Sequence, residues 1–247
     1  MWTGREVIVV GGLAGGTKNG LVDGARYEPG ADKWHSLPPF AATAHTLDSV
    51  ATVWTGDRLV VADLWATTQP IDNNGSSATS GIDVTTYDPA SNEWSAVPAS
   101  PQTPTGIQGL FWTGTHVLAP AAQRWCGRAS CPSSPYPPGA QLDLDTNAWT
   151  PISAGPIDDG IGTNAWTGAA LLRTTMTMKI GDPTSINPGD SAVWDPAANT
   201  WTKVQPIPVE LSPTTSGIWT GRDALFWGDI IESGTGTATS GGLRFSP

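Results

Sequence analysis

Two cysteines, two arginines and a tryptophan crowd into QRWCGRASC, from Gln123 to Cys131. Cys126 and Cys131 lie in a Gly/Ser/Pro-rich stretch, where a local disulfide would fit an oxidising compartment. A zinc site needs four ligands, and no second Cys or His pair is near in sequence. Two free thiols are the plain alternative. Arg124 and Arg128 flank Trp125, and a guanidinium beside an indole suits a carboxylate or a sugar. Both arginines could equally be solvated loop charges. Trp65 is a further indole outside any repeat, able to stack on a sugar ring, anchor a peptide, or plug a neighbouring sheet. Asp158 and Asp159, in GPIDDGIG, pair two carboxylates that could bind a cation or sugar hydroxyls, or simply make a turn. IDNNGSS, from Ile71, lacks the terminal Glu of a calcium loop. No nucleophile elbow, phosphate loop or dinucleotide fingerprint occurs, so no catalytic residue, metal or cofactor is expected.

Composition narrows the scaffold that must position these groups. The chain has 247 residues, enough for one large all-β domain. Gly is 29 and Pro is 22, which suits short strands joined by many turns, and no long window has helical periodicity. The net charge of -10 would repel a phosphate backbone or an anionic membrane surface, so neither nucleic acid nor membrane is an expected partner. No apolar run reaches the roughly 20 residues of a membrane-spanning helix. The start, MWTGREVIVVGG, has neither a basic leader nor a small-residue cleavage site and does not read as a signal peptide.

The scaffold shows itself as a repeat. WTGREVIVVGG, WTGDRLVVADL, WTGTHVLAPAA, WTGAALLRTTM and WTGRDALFWGD begin at Trp2, Trp54, Trp112, Trp166 and Trp219. Each is followed by a second motif: RYEPGADKWHSLPP, TYDPASNEWSAVPAS, DLDTNAWTPISAGP, VWDPAANTWTKVQPIP and a short RFSP. A period of about 50 in a β-rich chain predicts a propeller or another closed array. Thr-Gly after the tryptophan predicts a tight hairpin turn with Gly at positive φ. The apolar run is a strand, Asp-Pro ends the next, and Asn or Asp before the second tryptophan is turn chemistry. Each unit therefore reads as strands A to D. Nine of the 13 tryptophans fall at the two repeat positions and are expected to pack between blades.

The pattern resembles the kelch repeat, the β-propeller unit also found in the central domain of galactose oxidase. The repeated Tyr-Asp-Pro, the spaced tryptophans and the proline after strand D carry the resemblance along the whole chain. The family's double glycine stands only at Gly11-Gly12, its places elsewhere being Asp63-Leu64, Ala121-Ala122, Thr175-Met176 and Gly228-Asp229. The resemblance implies an all-β propeller of about five kelch-like four-stranded blades, with repeats near 1–47, 48–105, 106–161, 162–213 and 214–247. A galactose oxidase-like copper site is not implied. Of the few His and Tyr, Tyr27 and Tyr87 fill repeat positions, and His35, His45, His116 and Tyr136 do not converge. The last blade lacks strand D, so the expectation is a fragment of a six- or seven-blade propeller, with a five-blade ring as the competing reading.

Strand order places the short A–B and C–D turns at one end of each blade and the long B–C and D–A connections at the other. Long loops on a rigid scaffold carry binding. Trp65, Arg124, Trp125 and Arg128 fall in B–C connections, and Asp158 and Asp159 in a D–A connection. The function expected is a non-catalytic binding or scaffold module, monomeric and extracytoplasmic, taking a glycan or protein segment at that end. The alternatives are a carbohydrate-active enzyme and an adaptor domain of a cytosolic protein.

Overall fold

The computed structural model describes residues 1–12, 21–39, 47–71, 75–98, 109–120, 139–156, 161–178, 186–207, 210–211, 216–231 and 238–246. All regular structure in them is β. The fold class is a β-propeller of five antiparallel blades. Blade one is β1 (Val7–Val10), β2 (Gly24–Glu28) and β3 (Lys33–Ser36). Blade two is β4 (Leu47–Trp54), β5 (Leu59–Ile71), β6 (Gly75–Asp88) and β7 (Glu93–Val97). Blade three is β8 (Phe111–Trp112), β9 (His116–Pro120), β10 (Gly139–Asp143) and β11 (Ala148–Pro151). Blade four is β12 (Ile161–Trp166), β13 (Leu171–Met178), β14 (Ile186–Asp195) and β15 (Thr200–Val204). Blade five is β16 (Glu210–Leu211), β17 (Ser216–Trp219), β18 (Ala224–Ile231) and β19 (Ala238–Phe245), with β16 and β17 on the same side of β18 as two pieces of strand A.

The five W-T-G turns are one structure made five times. The Thr N–H donates to the carbonyl three residues on, at 2.9 to 3.0 Å, closing Thr3–Glu6, Thr55–Arg58, Thr113–His116, Thr167–Ala170 and Thr220–Asp223. Gly4, Gly56, Gly114, Gly168 and Gly221 all take positive φ, the conformation that a tight hairpin turn asks of Gly. The Thr hydroxyl reinforces it twice. In the fourth turn Thr167 Oγ1 accepts from Ala170 N at 3.0 Å and donates to Ala170 O at 2.9 Å.

The C–D turns also repeat. Asp32, Asn92, Asn147 and Asn199 hold positive φ of 50° to 58°, a conformation their short polar side chains tolerate. Three of these side chains are clasped from strand C: Tyr27 Oη donates to Asp32, Tyr87 Oη to Asn92 and Trp194 Nε1 to Asn199, at 2.8 to 3.0 Å.

The chain divides into two compact units, Met1–Ala119 with Gln141–Thr150, and Pro120–Ala140 with Pro151–Pro247. In the first, Ile8 and Leu37 of blade one pack on Leu59, Val61 and Tyr87 of blade two. The opposite side of blade two, with Val53, Val60 and Ala62, packs on Val117, Ala119 and Leu142 of blade three. In the second, Ala165 and Leu172 of blade four pack on Ala224 and Phe226 of blade five. One hydrogen bond marks the junctions: the strand-D indole donates to a carbonyl near the end of the preceding strand D, as Trp94 to Pro38 (2.7 Å), Trp149 to Pro98 (2.9 Å) and Trp201 to Ser153 (2.8 Å).

Blades two, three and four have four strands, and the last blade lacks strand D, as expected. Blade one has three, with its strand A reduced to the Trp2–Val7 bridge and to Met1, whose ammonium donates to Ile8 O at 2.6 Å. The tryptophans of the two repeat positions are not all packed, since Trp2 and Trp34 are exposed. The B–C connections read as loops are partly strand. β5 and β6 stay paired out to Ile71 opposite Gly75, because each residue past Ala62 still finds a cross-strand partner for its backbone.

Candidate functional site

Antiparallel order puts the A–B and C–D turns at one end of each blade and the B–C connection at the other. At the B–C end, blade two extends farthest among the described residues. Strand B of blade one stops at Val10, whereas β5 continues past the equivalent Ala62 through Trp65 to Ile71. In blades four and five the same hairpin reaches Met178 opposite Ile186 and Ile231 opposite Ala238. Trp65 therefore stands in a strand, opposite Leu47 on β4 and Gly81 on β6, rather than in a loop. Arg124, Trp125, Cys126, Arg128, Cys131, Asp158 and Asp159 lie outside the described residues. At the base of the ribbon Asp63 sits directly opposite Asp83, with Asp63 buried.

The turn end holds a feature that sequence reasoning missed. A cleft of about 360 Å³ opens between blades one and two, lined by Arg5, Glu6, Arg26, Trp54, Asp57 and Asp88 among others. Its charges are largely consumed internally. Arg26 pairs with Glu6 at 3.5 Å and Arg5 with Glu28 at 3.5 Å. Asp57 accepts from Thr55 Oγ1 at 2.6 Å and from Arg58 at 3.2 Å. The Thr55 hydroxyl, more than the Arg58 charge, holds the Asp57 carboxyl below the usual aspartate range. Asp88 Oδ1 accepts from Ala90 N at 2.8 Å. Tyr87 lies close by, its phenol pushed up by burial while the Arg26 guanidinium pulls the other way. Arg26 Nε is buried and has no hydrogen-bond acceptor among the described residues. The signal in the sequence was the residue after W-T-G. It is Arg5, Asp57, Thr115, Ala169 or Arg222 while the turn around it stays constant.

Comparison with protein-family models finds no match, and comparison with curated proteins finds no similar sequence. The site therefore rests on its own chemistry. Among the described residues, no group of three or more His, Cys, Asp or Glu side chains is arranged to hold a metal ion, and no helix is long and apolar enough to cross a membrane. His116 opens β9 at the turn end, with Nδ1 2.9 Å from Thr115 Oγ1. What the described residues provide is a rigid frame, a self-paired cleft at the turn end, and ribbons projecting from the B–C end.

Proposed function

We propose that the chain is a kelch-like binding module, without catalysis of its own, that takes a glycan or a protein segment at the B–C and D–A ends of its blades. The observation that carries this reading is the asymmetry of the two ends. Every A–B turn is the same tight hairpin, with Gly at positive φ and the Thr N–H closing it, whereas the described strands that lead into the B–C connections differ in length from blade to blade. Variation on a constant frame is how a scaffold acquires specificity. Trp65 lies within the longest of the described ribbons, and Arg124, Trp125 and Arg128 belong by sequence to the B–C connection of the next blade. Indole and guanidinium groups are the usual anchors for sugar rings and peptide carboxylates.

The test is a glycan and peptide array probed with the full chain, followed by titration of the best hit against Trp65→Ala and Arg5→Ala. Loss of one aromatic anchor is expected to weaken binding about tenfold or more, with the near-UV circular dichroism preserved. Arg5→Ala, at the opposite end, is expected to bind as the parent does. If Arg5→Ala weakens binding and Trp65→Ala does not, the ligand occupies the turn-end cleft and the reading fails.

A further inference from the structure

Every residue that walls the turn-end cleft belongs to the first compact unit. Three turns build it. The W-T-G turn of blade one brings Arg5 and Glu6, that of blade two brings Asp57, and the C–D turn of blade two brings Asp88 and Pro89. Arg26 enters from β2, opposite Ile8 in the sheet. The set is peculiar to this junction. The two residues after W-T-G are Arg-Glu in blade one and Asp-Arg in blade two, but Thr-His, Ala-Ala and Arg-Asp in the other blades.

Charge in the cleft is nearly balanced, while hydrogen bonding is not. Arg26 faces Glu6 and Arg5 faces Glu28, each at 3.5 Å, beyond the roughly 3.2 Å reach of a good N–H···O bond. In blade five Arg244 and Asp223 occupy the positions of Arg26 and Glu6, and there the pair closes to 3.0 Å. In blade one it stays open, with 27% of the Arg26 side chain and 12% of the Glu6 side chain still exposed. Asp88 takes the Ala90 amide at Oδ1 and forms no ion pair among the described residues.

These groups select the chemistry of an occupant. An anion would meet Asp57 and Asp88, and a cation would meet Arg5 and Arg26. A hydroxyl both donates and accepts, so one set beside the open pair accepts from Arg26 and donates to Glu6. A neutral ring bearing several hydroxyls uses both kinds of partner, and its C–H face suits the half-buried Trp54 indole and Pro89. The volume of about 360 Å³ is at the small end of ligand clefts, which run from roughly 300 to 1,000 Å³. That suits one ring rather than an extended chain.

We propose that this cleft is a second binding site, for a single neutral sugar ring whose hydroxyls bridge Arg26 to Glu6 and reach Arg5 and Asp88. It lies at the other end of the blades from the ligand proposed above and does not rest on that reading.

Titration calorimetry of the full chain with glucose, galactose, mannose and N-acetylglucosamine tests it, with glucuronate and glucosamine as charged controls. At least one neutral sugar is expected to bind with Kd on the order of 1 mM, more tightly than either control. Arg26→Gln and Glu6→Gln are each expected to weaken that sugar about tenfold or more. Trp65→Ala is expected to leave it unchanged. Should near-UV circular dichroism show that either cleft variant misfolds, Arg5→Ala and Asp88→Asn take their places. Both positions are exposed, Asp88→Asn keeps the acceptor for the Ala90 amide, and each is expected to weaken binding severalfold. The proposal is overturned if none of the four sugars binds, or if a charged control binds more tightly than all of them. Binding that survives the folded cleft variants also overturns it, and its loss in Trp65→Ala would put the sugar at the B–C end instead.

Discussion

Asp223 shows how much a single side chain does in this repeat. Its backbone closes the last W-T-G turn, and its carboxylate reaches across to the end of β19. Ser246 Oγ donates to Oδ1 at 2.6 Å, and Arg244 approaches Oδ2 at 3.0 Å. The Ser246 hydroxyl is the larger cause holding this carboxyl below the ordinary aspartate range, with Arg244 adding to it against partial desolvation. A depressed native pKa means the unfolded chain takes up the proton first. The stabilisation is therefore complete above the unfolded value of about 3.9 and is lost as pH falls through the lower, native one. Asp57 and Asp143 are depressed for the same kind of reason, by hydrogen bonds from Thr55 and from the Thr146 and Asp145 amides. The melting temperature is expected to be insensitive to this group from pH 7 to about 5 and to fall below about pH 4. Asp223→Asn should melt lower at neutral pH and lose less on acidification than the parent. Parallel acid curves for the two proteins would show that the Ser246 contact contributes nothing.

At the scale of elements, the C–D turn carries the sharpest prediction. Asn199 holds φ of 51°, and its Oδ1 accepts from the buried Trp194 Nε1 at 3.0 Å and from Ser153 N at 2.8 Å. One side chain thus ties strand C of blade four, its own turn, and the segment after β11. Asn199→Gly keeps the backbone freedom and removes both bonds, which should cost about 2 kcal/mol, since a buried indole N–H is left unpaired. Asn199→Ala adds the left-handed strain of a side chain, about 1 kcal/mol more. Urea denaturation should rank parent, Gly and Ala in that order, and an Ala variant as stable as Gly would contradict the strain. These turns were legible in the sequence because their causes are local: a Thr-Gly pair, an Asn or Asp five residues after the strand-C aromatic, and a tryptophan soon after. The ribbon beyond Ala62 was not, because TTQPIDNNGSSATS has no apolar alternation to mark its paired strands. The cleft was hidden for a different reason. Arg26 and Glu6 meet through sheet register, which a linear reading does not supply. Trp65 was singled out correctly as lying outside the repeat positions and assigned wrongly to a loop.

At the scale of the molecule, the repeat reads as one array, yet the packing separates it into two units with cores of their own. The first holds the Leu59/Val61/Tyr87 cluster and the Val60/Val117/Leu142 cluster. The second holds the Leu172/Ala224/Phe226 cluster. In a repeat protein, stability is a sum of unit terms and nearest-neighbour interfaces, so cooperativity extends only as far as the interfaces couple it. Leu59 and Leu172 are both fully buried, and replacing either with Ala should cost about 2–5 kcal/mol. Calorimetry of the full chain is expected to resolve two components. Leu59→Ala should lower one of them and leave the other in place, and Leu172→Ala should do the reverse. The double variant should then lower both, by the amounts seen singly, because the two sites share no packing partner. A single transition that moves as a whole with either substitution would mean that the blades unfold as one cooperative body, with coupling between units as strong as the coupling within them.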